Sequence, residues 1–63
     1  MLEAMIEKWS NRDGSVDYLW SLWQDGKRVT MGGHFASAAA AEQAARLHCQ
    51  EKFGCEPDRV TLV

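Results

Sequence analysis

His34, His48, Cys49 and Cys55 are the side chains of this sequence best suited to hold a metal, because imidazole and thiolate are the usual zinc donors. Their spacing argues against a site. His48 and Cys49 are adjacent, so on a helix they point about 100° apart, and no Cys-x-x-Cys pair supplies a chelating unit. The residues available for nucleophilic catalysis are Cys55 with His48 and either Glu51 or Glu56. Cys55 follows the end of a helical run, where the helix dipole raises a thiol pKa and opposes activation. Gly32-Gly33 is the remaining candidate, as a phosphate-binding loop. A phosphate cradle needs glycines that lead directly into a helix N-terminus, and here His34, Phe35 and Ala36 intervene. A bulge or a close helix approach at the end of a strand accounts better for the pair. No catalytic residue, metal or cofactor is assigned, and the chain reads as non-enzymatic.

The size supports this. Sixty-three residues make a single domain, 1–63, and a chain this short has little room for a substrate cavity beside its core. A hydrophobic share of 46% with 25% charged residues belongs to a globular protein, and three Trp is many for this length. The longest apolar run, Ala38 to Ala41, is far short of a membrane span, and Met1-Leu2-Glu3-Ala4 lacks the basic and apolar segments of a signal peptide. A cytoplasmic location is expected, with no membrane partner, and there the two cysteines read as free thiols. The net charge of −2 disfavours the broad attraction to phosphate behind most nucleic-acid binding.

The elements that place these residues are punctuated clearly. Leu2 to Ser10 alternates apolar and charged residues and ends at Asn11-Arg12-Asp13-Gly14, a turn sequence. Val16 to Trp23 is aromatic and β-favouring, and it stops at Asp25-Gly26, the strongest short hairpin signal. A third strand, Lys27 to Phe35, completes a meander. Ser37 is an N-cap, Ala38 to Phe53 is dense in helix formers, and Gly54 suits a left-handed cap. Pro57 then precedes a short strand, Arg59 to Val63. The expected fold is α+β in the order βββαβ, a three-stranded antiparallel meander covered by one helix with a short C-terminal strand at a sheet edge.

A two-residue Asp25-Gly26 loop pairs Gln24 with Lys27, Leu22 with Val29 and Trp20 with Met31. This register puts Val16, Tyr18, Trp20, Leu22, Val29, Met31 and Phe35 on the core face. Leu19, Ser21, Trp23, Arg28, Thr30 and His34 fall on the opposite face. On the helix, Ala40, Ala41, Ala44, Leu47 and His48 form the expected buried stripe. Trp9 has two placements: a three-residue Arg12-Asp13-Gly14 loop sends it to the outer face with Trp23, and a two-residue Asp13-Gly14 loop sends it to the core.

The stretch Trp20 to Ala45, with Asp25-Gly26-Lys27-Arg28, Gly33, Phe35, Ser37, Ala41, Ala44 and Ala45, resembles two kinds of small domain. One is the three-stranded sheet plus helix of tyrosine-recombinase arm-binding and plant ethylene-response-factor DNA-binding domains, whose open sheet face enters a DNA groove. The other is a set of short bacterial and phage domains of uncharacterised function with the same hairpin, Phe-x-Ser/Thr and Ala-Ala-Arg helix. The first resemblance implies a DNA reader using Trp23, Arg28 and Thr30, with Lys8, Arg12 and Lys27 for phosphates. Asp17, Glu7 and Glu3 are departures if they share that face.

Tryptophan and arginine are enriched among binding hot spots. The expected function is accordingly a binding module for a protein partner or a second copy of itself, acting through Trp23, Arg28, Thr30, Leu19 and Trp9. DNA binding through the same face is the alternative.

Overall fold

Two turns, one helix and two caps partition the chain as the residue types require. The computed structural model describes residues 1–63. It contains β1 (Leu2–Ser10), β2 (Val16–Gln24), β3 (Lys27–Phe35), α1 (Ala38–Phe53) and β4 (Arg59–Leu62). The four strands form one sheet in the order β3-β2-β1-β4. β1 and β3 run antiparallel to β2, whereas β4 pairs parallel to β1 within the same chain. The architecture is α+β with βββαβ order.

The first hairpin closes through a three-residue loop, Arg12-Asp13-Gly14. Asn11 N–H donates to the Ser15 carbonyl at 2.8 Å, and Gly14 N–H to the Asn11 carbonyl at 3.1 Å. Gly14 sits at φ 89°, which glycine adopts without steric cost. Asp13 Oδ1 accepts both the Ser15 N–H (2.9 Å) and its hydroxyl (2.6 Å), which locks the loop. The second turn has Asp25 at φ 51° and Gly26 at φ 83°, the two positive values that a tight Asp-Gly hairpin demands.

Ser37 Oγ accepts the Ala40 N–H at 3.2 Å at the start of α1, and Gly54, at φ 73°, donates its N–H to the Gln50 carbonyl at 2.9 Å at the end. Beyond the helix, Asp58 and Leu2 exchange hydrogen bonds: Leu2 N–H donates to Asp58 Oδ2 and Asp58 N–H to the Leu2 carbonyl, both at 2.8 Å. This clamp delivers the chain to the free edge of β1, where β4 pairs.

The core lies between α1 and one side of the sheet. Leu2, Ala4 and Ile6 of β1, Trp20 and Leu22 of β2, and Ala41, Ala45 and Cys49 of α1 are buried together. Tyr18, Phe35, Phe53 and Val60 pack around them. Alanines at the helix–sheet contact let the backbones approach closely. Gly32 makes a different close contact, within the sheet, since a Cβ there would stand 2.6 Å from the Trp20 ring of β2.

Two expectations are corrected. The register of β3 begins as its turn dictates, with Gln24 opposite Lys27 and Trp23 opposite Arg28, but one extra residue then intervenes. Leu22 pairs with Thr30 rather than Val29, and Trp20 with Gly32 rather than Met31. The bulge moves Thr30 off the open face to the helix side and turns Met31 outward, where it is 50% exposed; Val29 is also exposed. A second bulge, between Gly32 and Phe35, restores Phe35 to the core side. The helix stripe is also rotated: Ala41, Ala45 and Cys49 point inward at spacings of four, while Leu47 is 59% exposed.

Candidate interaction face

The side of the sheet away from α1, here termed the open face, is set by strand alternation. Buried Leu2, Ala4 and Ile6 face the helix, so Glu3, Met5, Glu7 and Trp9 face outward. Directly opposite them on β2 stand Trp23, Ser21, Leu19 and Asp17. β3 adds Arg28 opposite Trp23 and Met31 opposite Ser21. β4 adds Arg59 opposite Glu3 and Thr61 opposite Met5.

The middle of this face has its own packing. Ser21 is only 5% exposed although no helix covers it. The Trp23 indole N–H donates to Ser21 Oγ at 2.8 Å, so the ring folds back along its own strand over the small side chain. Met5 and Met31 occupy the positions on either side of Ser21, and Leu19 is half-buried next along β2. Trp9 stands apart at the end of β1, 54% exposed, with its indole N–H donating to Glu7 Oε2 at 3.1 Å. This is the outer placement that a three-residue loop requires.

Charge on the face is divided along the strands. At the Trp9 end, Glu7 lies opposite Leu19 and Asp17 lies opposite Trp9. Asp17 Oδ2 takes a hydrogen bond from Asn11 Nδ2 at 3.0 Å and lies 3.3 Å from His34 Nδ1. At the Trp23 end, Glu3 Oε2 accepts from Thr61 Oγ1 at 2.7 Å and from Arg59 at 2.9 and 3.2 Å. These hydrogen bonds, from Thr61 first and then Arg59, hold the Glu3 carboxyl below its ordinary pKa. Arg28 makes no ion pair within the chain.

Of the sequence-derived residues, the structure brings Trp23, Arg28, Leu19 and Trp9 onto this face and removes Thr30 from it. The basic residues offered for phosphate contacts do not converge there. Lys8 stands opposite Tyr18 and Lys27 opposite Gln24, both on the helix-side register, and Arg12 is at the tip of the first hairpin. Met31, Arg59 and Thr61 were not identified from sequence, and Glu3 entered there only as an acidic departure from a DNA-reading face. Nothing in the residues of β3 marks the bulge that exposes Met31, and the Glu3 cluster exists only because β4 pairs with β1.

Comparison with family models, curated proteins and solved structures finds no match to this chain.

A shallow open depression of about 590 Å³ lies between Phe35 and the flank of α1, lined by Ala40, Ala44 and Leu47. Its polar rim is internally satisfied, since Arg46 and Gln50 both donate to Glu56. His48 stacks at a tilt on Trp20, ring centroids 5.0 Å apart, with its Nε2 buried and unpartnered. Cys49 is buried, which pushes its thiol above the usual pKa, whereas Cys55 is exposed. No three His, Cys, Asp or Glu side chains are grouped to hold a metal ion, and no helix is long and apolar enough to cross a membrane.

Proposed function

We propose that this chain is a non-enzymatic protein-interaction module that presents the open face of its sheet to a protein partner in the cytoplasm. The observation that carries this reading is the make-up of that face. Trp9 and Met31 are each about half exposed on a broad surface whose middle is otherwise Met5, Leu19 and Trp23. Apolar and aromatic anchors ringed by charge are the composition of a protein interface.

A DNA groove is a poorer partner for it. Glu3, Glu7 and Asp17 share the face with Arg28 and Arg59, and one of those arginines is already engaged by Glu3. A phosphate-binding surface needs a clear cationic excess. Free thiols at Cys49 and Cys55 suit a reducing compartment.

The test is a photo-crosslinking scan in cells, with the reactive residue placed at Leu19 or Met31 on the open face and at Gln43 on the outer helix. Protein adducts from the first two positions and none from Gln43 are expected. Adducts from Gln43 alone, or micromolar binding of duplex DNA in low salt, would contradict the reading.

A further inference from the structure

The charges on the open face are arranged so that the face complements itself. Asp17 and Trp9 mark one end, Arg28, Trp23 and the Glu3–Arg59 pair mark the other, and Met5, Glu7, Leu19, Ser21 and Met31 lie between. Asp17 and Trp23 are six residues apart on one strand, so the two ends are separated by about 20 Å.

Resting on the interaction-module reading, we propose that the occupant of the open face is a second copy of this chain, packed face to face about a two-fold axis that runs across the strands through the level of Ile6 and Trp20. Such an axis exchanges the ends. Arg28 of each copy, which has no acidic partner of its own, then comes over the end of the partner's β3 beside Asp17, whose carboxylate is 34% exposed next to its own His34. Trp9 of each copy lies over the Glu3–Arg59 pair of the other, where the guanidinium can stack on the indole. The contact is isologous, as a two-fold dimer requires, and each favourable pair occurs twice. An axis along the strands would instead set the like-charged outer arginines, Arg28 and Arg59, over one another.

The area is sufficient. The face is a broad side of a molecule measuring 37 × 20 × 15 Å. Closing it against a second copy buries on the order of 1,200 Å² in total, the lower end of a stable specific interface. Only 9 of 63 residues are buried in the isolated chain, so the added apolar burial is large relative to its own core. Edge-to-edge pairing through β3 is the weaker route to self-association, because two bulges interrupt that edge.

Glu7 is the exception. It lies toward the centre with only the Trp9 indole N–H as a partner, and desolvating it opposes association. The dimer therefore gains when that charge is removed.

Sedimentation equilibrium on wild type, Arg28→Asp, Asp17→Arg and an equimolar mixture of the two variants tests the proposal, with thermal melts to confirm folding. Wild type is expected to dimerise, and each reversal alone to weaken dimerisation by at least about tenfold, because it sets like charges together twice. The mixture recovers it, since a heterodimer of the two variants restores two opposite-charge contacts. Glu7→Gln tightens the wild-type dimer. If Asp17→Arg does not fold, Asp17→Asn replaces it and is expected to weaken the dimer less.

Any of three results would overturn the proposal: a wild-type monomer at millimolar concentration, a dimer indifferent to the Arg28 and Asp17 changes, or no recovery in the mixture. A monomer that still gives Leu19 or Met31 adducts to another protein would end the self-association proposal alone. Loss of those adducts as well would end the interaction-module reading.

Discussion

Trp23 donates its indole N–H to the hydroxyl of Ser21, two residues back on the same strand and the same face. A serine with no helix above it is thereby almost fully buried. Trp23 is both a lid on its own sheet and a partly exposed aromatic surface. Replacing Ser21 by Ala leaves the indole N–H without its acceptor, and a loss of about 0.5–1.5 kcal/mol in urea unfolding is expected. Trp23→Ala uncovers the serine and removes the ring, so it costs more than Ser21→Ala.

Gly32 carries the close approach of β3 to Trp20. Gly32→Ala drives a methyl group to within 2.6 Å of the indole. The ring must shift against His48, at a cost of about 1–3 kcal/mol. Denaturant unfolding with tryptophan fluorescence measures it, and the native emission changes with the stability.

The rotated helix stripe makes a contrast between two leucines. Leu22 is fully buried and Leu47 largely exposed. Leu22→Ala is expected to cost about 2–5 kcal/mol, a large part of the stability of a chain this small. Leu47→Gln stays within about 0.5 kcal/mol. Thermal melts of the two variants separate this packing from one with Leu47 inside.

Acid should destabilise the sheet through Glu3 and Asp13. Both carboxyls are held below their ordinary values, Glu3 mainly by the Thr61 hydroxyl and Asp13 mainly by the Ser15 hydroxyl. A lowered folded pKa contributes stability above the unfolded values of 4.5 and 3.8, and that contribution is lost as pH falls through the folded values. Thr61→Val removes the largest cause at Glu3, so its stability should fall less steeply between neutral pH and pH 3. A parallel acid limb in wild type and variant would deny the Glu3 cluster this role.

Cys55 and Cys49 should separate in thiol labelling. Cys55 is exposed and reacts at once, while Cys49 reacts only on unfolding. Burial raises the Cys49 pKa above 9.0, so its contribution is present below that pH and lost as pH rises, when the unfolded thiol ionises first. Equal labelling rates in the native protein would contradict the core.

Much of the fold was legible because its boundaries rest on local chemistry. Asp25-Gly26 and Arg12-Asp13-Gly14 make turns through their own φ preferences, and Ser37 and Gly54 cap the helix through their own groups. The open-face placement of Trp9 followed once the loop length was fixed. The Gly32-Gly33 pair did signal its bulge, while the close approach it makes is to Trp20 and Leu19 of β2 rather than to the helix. The bulge after Arg28 had no such signal: Arg28, Val29 and Thr30 alternate regularly, and only packing against β2 and α1 decides which turns inward. Thr30 and Met31 exchanged sides for that reason. The helix stripe was displaced because alanines crowd this helix, so periodicity alone marks several faces nearly equally. Glu3, Arg59 and Thr61 meet across nearly the whole chain, a relationship that no local spacing encodes.

The most direct test of the central claim is a map of backbone and indole N–H chemical shifts in the labelled protein as its concentration rises from micromolar to millimolar. Shifts are expected to concentrate at Met5, Glu7, Leu19 and Met31 and at the indoles of Trp9 and Trp23. Shifts confined to Ala40, Ala44, Leu47 and Gln50 on the outer helix would place the interaction surface elsewhere and contradict the account.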